Sequence, residues 1–220
     1  VLRDKITDLE YLSQKIEISP FESEKEYLDT RYERIRNSLV LLEKELGIKK
    51  IKRIECFDIS NLQGEFAYAA MSVAINGEIR PEEYRAFRIR EVKGSDDPAM
   101  LREAIRRRMM RENKPELLLI DGGVSQLSVI RDLVPRDIKL LGISKGKRLK
   151  RKGQKPVDEF WFLKNNAFKN IKIPFPFLLI ELRDKAHRFG IKYHRKNRAK
   201  NMKKSVLDGI EGIGAKRRKA

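Results

Sequence analysis

Residues 115 to 127, PELLLIDGGVSQL, hold the most restrictive pattern in the chain. A run of apolar side chains, Leu117 to Ile120, stops abruptly on Asp121, two glycines follow, and a helical pattern begins. A short apolar run bounded by glycine reads as a strand. A strand that opens through Gly-Gly into a helix begins a β-α-β unit. Such a turn has two uses: it can cradle a phosphate on backbone N–H groups, or it can leave one carboxylate standing at the end of a sheet.

The elements on either side decide what sheet surrounds this strand. Residues 53–60, RIECFDIS, and 65–75, EFAYAAMSVAI, read as short apolar strands, and the tight-turn pair Asn76-Gly77 leads to a third, EYRAFRIREV. Successive strands with short turns make an antiparallel meander. After Gly94, SDDPAMLREAIRRRMMREN reads as a helix with Asp97 as N-cap, Pro98 in the first turn, and Leu101, Ile105 and Met109 on its apolar face. Strand ELLLIDGG, helix VSQLSVIRDLV and strand IKLLGISKG come next, and these later strands are expected to run parallel. The predicted fold class is thus α/β: a mixed sheet, antiparallel meander plus parallel strands, flanked by helices.

Outside this unit, residues 24–46 read as a helix, because Leu28, Tyr32, Ile35, Leu39, Leu42 and Leu46 recur at spacings of four and three before Gly47. A weaker helical pattern (Leu2, Ile6, Leu9, Leu12) precedes it, broken off by ISPF, so residues 1–50 read as a helical lead-in. Residues 145–155, KGKRLKRKGQK, form a basic loop, and EFWFLKNNAFKNIKI reads as a hairpin. A last long helix begins after the prolines, with Leu179, Leu182, Ala186, Phe189 and Tyr193 on its apolar face.

Charge narrows the function. Residues 1–140 carry 26 Lys and Arg against 26 Asp and Glu, whereas residues 141–220 carry 24 against 6, so the whole net charge of +18 sits in the last 80 residues. A segment this basic favours a polyanion, because each neutralised phosphate releases counterions. Nucleic acid fits better than a membrane surface, since no basic amphipathic stretch has a wide apolar face free of core duties. No apolar run reaches the ~18–20 residues of a membrane span. The single cysteine, Cys56, excludes an internal disulfide and a cysteine-based zinc site, and a reducing, cytoplasmic home is expected. The chain begins at Val1 and reads as a piece of a longer protein.

Residues that can carry chemistry are few. Asp58 lies near the end of the strand containing Ile54, Cys56, Phe57 and Ile59, and Asp121 repeats the arrangement on a second strand. A carboxylate there is costly unless exposed, paired or bound to a cation. If the strands are neighbours, the two converge, and two Asp oxygens with room for water suit Mg²⁺ or Mn²⁺. The alternative is that each aspartate caps the turn that follows. Gly122-Gly123 completes neither nucleotide motif: there is no Lys-Ser/Thr after it and no third spaced glycine. Glycines beside Asp121 instead keep side chains away from a site that a bulky backbone must approach. The two histidines, His187 and His194, lie seven apart on the last helix, in its basic part. His187 can be a structural residue, a metal ligand or a general base. Cys56, inside a strand, is a poor nucleophile. Near the C-terminus, Gly212-Ile213-Gly214 followed by basic residues suits backbone contact with a DNA phosphate or a plain turn between helices.

Five strings in order, RIECFDISNLQGE, VKGSDDPAMLREAIRRR, LLLIDGGVSQL, LRDKAHRFGIKYHRK and IEGIGAKRRKA, closely resemble the C-terminal half of the UvrC family, the nuclease subunit of bacterial nucleotide excision repair, from about Ile51 onward. The resemblance implies a ribonuclease-H-like domain, taken as residues 51–204, followed at 205–220 by the start of a helix-hairpin-helix. It implies a metal-dependent cut, with Mg²⁺ or Mn²⁺, in the damaged DNA strand on the 5′ side of the lesion. The family's separate N-terminal nuclease, which cuts on the 3′ side, has no counterpart here. The implied catalytic residues fall on Asp58, Asp121 and His187, with a further functional acid on Asp97. Related ribonuclease-H-type nucleases carry a carboxylate where His187 stands. The family's Ser-Pro-Ala-Leu approach to that helix reads IKIPFPFLLIELRD in this chain.

The expected function is therefore a DNA endonuclease acting in excision repair, with Asp58, Asp121 and His187 about the metal. Lys145, Lys147, Arg148, Lys150 and Arg151 of the basic loop, Arg183, Arg188, Arg195, Lys196 and Arg198 of the last helix, and Gly212 and Gly214 are expected to hold DNA. Arg106, Arg107 and Arg108 are expected chiefly as a solvated helix face. The implied partners are damaged double-stranded DNA and the damage-loading protein UvrB, with UvrA upstream, and the chain is expected to be monomeric. The rivals are a non-catalytic DNA-binding module, whose aspartates only cap turns, and a nuclease of the same fold acting on RNA or recombination intermediates.

Overall fold

The computed structural model describes residues 24–60, 67–92, 94, 96–146, 157–164 and 167–208, with side chains at 33–59 and, beyond those, up to 196. The expected helix in residues 1–23, most of the basic loop (Lys147, Arg148, Lys150 and Arg151 included), the side chain of Arg198, and Gly212 and Gly214 lie outside the described residues. The chain divides into a unit of residues 1–37, helical from Glu24 onward, and a compact unit of residues 38–220.

Helix α1 spans Glu24–Leu46, and its last turns carry Leu42 and Leu46 into the core of the second unit. Gly47, at φ +63°, ends it in the left-handed conformation, while Ile48 N–H returns to the Glu43 carbonyl. The sheet follows: β1 (Arg53–Ser60), β2 (Tyr68–Ile75), β3 (Glu78–Ile79), β4 (Arg85–Arg88), then helix α2 (Asp97–Met109), β5 (Leu117–Asp121), helix α3 (Val124–Ile130), β6 (Lys139–Lys145), β7 (Asp158–Lys164), β8 (Ala167–Ile171) and helix α4 (Phe177–Asp208). The strand order is β3-β2-β1-β5-β6-β7-β8, with β4 also on β2. The β1–β5 and β5–β6 pairs are parallel and the others antiparallel, which is the mixed sheet expected.

Two differences from expectation have local causes. The third meander strand, expected over EYRAFRIREV, is β4 alone, and an additional two-residue strand, β3, precedes it across a 3₁₀ turn that starts at Pro81. The β4 ladder then stops early: the buried carboxylate of Glu103 accepts from Arg90 N–H and Glu91 N–H at 3.0 and 2.9 Å, taking the donors a strand would spend on a neighbour. The cap of α2 is also one residue earlier than expected. Asp96, not Asp97, accepts from Ala99 N–H at 3.0 Å, and Asp97 is the first helical residue.

Alternation along the strands divides the core in two. Ile54, Cys56, Leu117, Leu119, Leu141 and Ile143 face α4 and the end of α1, together with Leu178, Leu179, Leu182 and Ala186. Phe57, Leu118, Ile120 and Leu140 face α2 and α3, with Met100, Leu101, Ile105 and Leu127. A buried polar contact ties this layer together: the Ser72 hydroxyl of β2 donates to the Leu182 carbonyl of α4 at 2.7 Å. Ser72→Ala removes that bond without orphaning the carbonyl, which sits within the helix. The expected cost is about 1 kcal/mol in urea denaturation.

Candidate active site

The site follows from register. In parallel pairing Phe57 stands opposite Ile120, so the next residues, Asp58 near the end of β1 and Asp121 at the end of β5, come side by side. Period-two alternation puts Asp58 on the face of Ile54 and Cys56, and Asp121 on the face of Leu117 and Leu119. That is the face covered by α4, whose buried stripe of Leu178, Leu182 and Ala186 brings the next residue, His187, to the sheet's edge. The His187 Nδ1 lies 3.1 Å from Asp58 Oδ2. Asp58, Asp121 and His187 each offer a ligand atom, all within 4.8 Å of one another. Asp58 is buried, Asp121 half-buried and His187 exposed, so the group opens outward.

The electrostatics are those of a cation site. Burial, then the Asp58 charge beside it, pushes the Asp121 carboxyl up to about 6, against the opposing pull of Arg183, His187 and Lys145. Like-charged carboxylates held together out of water are stabilised by a metal or a shared proton. Two carboxylates and an imidazole, open on one side, fit a divalent ion that keeps room for water and a phosphate oxygen. The buried Cys56 thiol is raised by burial first and then by Asp121 and Asp58, which leaves it inert.

The other expected residues are distributed unevenly. Asp97 is not in the triad, but β4 ends beside the start of β2, which faces the end of β1, and α2 runs back from there to Arg108 beside Glu55. Asp97 therefore stands at the same end of the sheet as Asp58, on the opposite face. Lys145 ends β6, and Arg188, Arg195 and Lys196 are exposed on α4. Arg183 is held by Asp158 and Asp184. His194, by contrast, is buried and meets the Tyr68 ring edge-on at 5.2 Å between centroids. Of Arg106 to Arg108, it is Arg108 that departs from the expected solvated face. Arg106 pairs with Glu91 at the surface and the partly exposed Arg107 with Glu103, whereas Arg108 is buried in a bidentate pair with Glu55 at 2.7 and 2.8 Å.

The glycines have a packing reason the sequence reading missed. A Cβ at Gly122 would meet Gln126 Cγ at 2.8 Å, and one at Gly142 would meet the Gly122 carbonyl oxygen at 2.7 Å. Gly122 and Gly142 thus let the β5–α3 turn press onto β6, where Gly122 N–H donates to the Ile143 carbonyl at 2.8 Å. Gly123 has open space around its Cβ position, and its N–H donates to Gln126 Oε1.

Residues 43–191 match the family model described as the UvrC RNAse H endonuclease domain. The UvrABC system protein C of Syntrophotalea carbinolica is 43% identical over 183 residues, covering 76% of this chain and 30% of that protein. The Legionella pneumophila (strain Lens) protein of the same name is 37% identical over 217 residues, covering 94% and 33%. The chain thus spans about a third of the length of these relatives. Among solved structures, a Ciona intestinalis endonuclease V bound to inosine-containing DNA matches at TM-score 0.41 and 11% identity, covering 77% of this chain and 97% of that one. No helix among the described residues is long and apolar enough to cross a membrane.

Proposed function

This chain belongs to the UvrC RNase H endonuclease domain family, and from that premise we propose that it is a metal-dependent endonuclease that hydrolyses a phosphodiester of the damaged strand in duplex DNA, making the 5′-side incision of nucleotide excision repair. The observation that carries the reading is the convergence of Asp58, Asp121 and His187 within 4.8 Å at one open edge of the sheet. Turn caps would have no reason to meet a histidine from a distant helix.

Asp58 and Asp121 hold Mg²⁺ or Mn²⁺, with His187 as third ligand or as the group that takes the proton of the attacking water. The bound ion supplies Lewis acidity toward the phosphate and lowers the pKa of water. Asp58, 3.1 Å from Nδ1, orients the His187 ring, and with the hydrogen on Nδ1 the other ring nitrogen keeps its lone pair for either task. Asp97, at the same sheet end, is a further functional acid. Lys145, Arg188, Arg195 and Lys196, with Arg198, Gly212, Gly214 and the basic loop, hold the strand's backbone. Partners are the damage-loading protein UvrB, after UvrA, and the chain acts as a cytoplasmic monomer, its domain running from about residue 51 to 204.

The test is incision of a duplex carrying one bulky lesion, labelled on the damaged strand, with UvrB and Mg²⁺ or Mn²⁺. A nick on the 5′ side that vanishes when the cation is chelated is the expected result. Intact strands, or cutting that survives chelation, would overturn the proposal.

A further inference from the structure

Helix α4 packs across β1 and β2, and its two flanks face different parts of the sheet. On one flank His187 meets Asp58 of β1 at 3.1 Å. On the other, Tyr193 meets the Tyr68 ring of β2 edge-on at 4.9 Å between centroids, and Phe189 meets Tyr84, just ahead of β4, in the same way at 5.5 Å. The flank away from the triad is thus seated on aromatic rings. Exposed cations from two elements border that seat. Tyr68 stands opposite Arg88 in the β2–β4 ladder, so Arg88 leaves the sheet on the face that α4 covers. Lys192 and Lys196, one turn apart on α4, project about 140° and 180° around the helix from His187. All three are exposed. Between Asp184 and Asp208 the helix sequence holds nine Lys and Arg and no Asp or Glu. A surface of one sign repels itself and is settled by a polyanion.

We infer that this second flank binds the uncut strand: α4 lies between the two backbones of a duplex, with the scissile strand at the triad and phosphates of the complementary strand on Arg88, Lys192 and Lys196. The inference rests on the nuclease reading above and narrows the contact of Lys196 to the strand that is not cut. The dimensions agree. A helix with its side chains is ~10–12 Å across and the major groove of B-DNA is ~12 Å wide, so phosphates on the two sides of that groove fall on opposite flanks of one helix. A ligand confined to the scissile strand would leave Arg88 and Lys196 facing away from it. Cations that meet only phosphate position a duplex without reading its bases, which suits a cut set by damage. The aromatic seat holds the second flank at a fixed distance from His187, so a duplex engages both sides at once and a single strand only one.

Fluorescence anisotropy of this chain with the lesion-bearing duplex, and with its damaged strand alone, tests the inference over a salt series in chelator, where nothing is cut. The triple variant Arg88→Gln, Lys192→Gln, Lys196→Gln is expected to bind the duplex about tenfold more weakly, with a slope of log K against log salt shallower by about three. Its binding of the single strand should stay near that of wild type. Neutral methylphosphonate linkages in the complementary strand, across the major groove from the incision, should weaken wild type by a similar factor and the triple variant scarcely at all. That second arm uses the native chain and does not depend on how the variant folds. Equal losses on duplex and single strand, a wild type indifferent to the methylphosphonates, or no DNA binding by wild type each overturn the inference. The nuclease reading is judged apart from these, by whether wild type makes the chelation-sensitive nick.

Discussion

Replacing Asp121 by asparagine is expected to slow strand incision by about a thousandfold or more, and Asp58→Asn to do the same. Asparagine keeps the shape of the side chain and its place at the strand end, so fold and register survive. What goes is the charge. With Asp58 and Asp121 adjacent at one sheet end, either substitution halves the anionic charge of the triad. Losing ~4 kcal/mol of transition-state stabilisation, a usual share for a metal-held phosphate, is about 10³ in rate. Acid has a related effect. Because the Asp121 carboxyl of the metal-free chain is pushed up to about 6, a metal entering below that pH must displace a proton. Mn²⁺ affinity is expected to be flat well above pH 6 and to fall about tenfold per pH unit below it. Stability of the metal-free chain moves the other way. Between its unfolded value and about 6 the folded chain holds a proton that the unfolded chain releases, so the contribution of Asp121 to stability is present at low pH and lost as pH rises through about 6. Calorimetry with Mn²⁺ at pH 5, 6, 7 and 8 separates the two, and a pH-independent affinity would remove Asp121 from the ligand set.

That this site could be anticipated follows from the kind of signal each residue leaves. RIECFDIS and ELLLID are short apolar strands that each reach an acid toward their C-terminal end, and parallel pairing of such strands brings the acids together. Helix α4 carries His187 one residue past the buried Ala186, at the border of its packed face, which leaves its role open, and only the family resemblance singled it out. Periodicity is silent where a side chain replaces a backbone partner. Glu103 reads as an ordinary exposed helix position, yet it accepts the N–H groups that would have extended β4. Adjacent acids Asp96 and Asp97 are equally good caps by type, and only the start of the helix chooses between them. The arginine triplet of α2 reads as a solvated face because nothing local shows that Arg108 points at Glu55, which is distant in sequence. The one local sign was Glu55 itself, a charge set inside an apolar strand.

Glu55→Gln is expected to destabilise the chain by about 3–5 kcal/mol, the cost of leaving a buried charge without its counter-charge. Glu55 is fully buried and Arg108 nearly so. The carboxylate also accepts from Arg53 Nε at 2.6 Å, while Arg108 Nη2 donates onward to the Asn113 carbonyl at 2.6 Å. Glutamine keeps the length and one oxygen, so packing is little changed and the loss isolates the charge. The double change Glu55→Leu with Arg108→Met removes both ions, leaves Arg53 its partner Glu83, and should recover most of the lost stability. A buried pair costs desolvation that well-packed apolar side chains do not. Urea denaturation of the singles and the double forms the cycle, and a single-variant loss below about 1 kcal/mol would show the pair to be hydrated. Because this pair faces α2 and the triad faces α4, Glu55→Gln should leave Mn²⁺ affinity unchanged wherever the chain is still folded. Asp121→Asn should instead abolish Mn²⁺ binding while leaving the metal-free chain as stable as wild type or, above about pH 6, somewhat more so, so stability and chemistry can be lost one at a time from opposite faces of the same sheet.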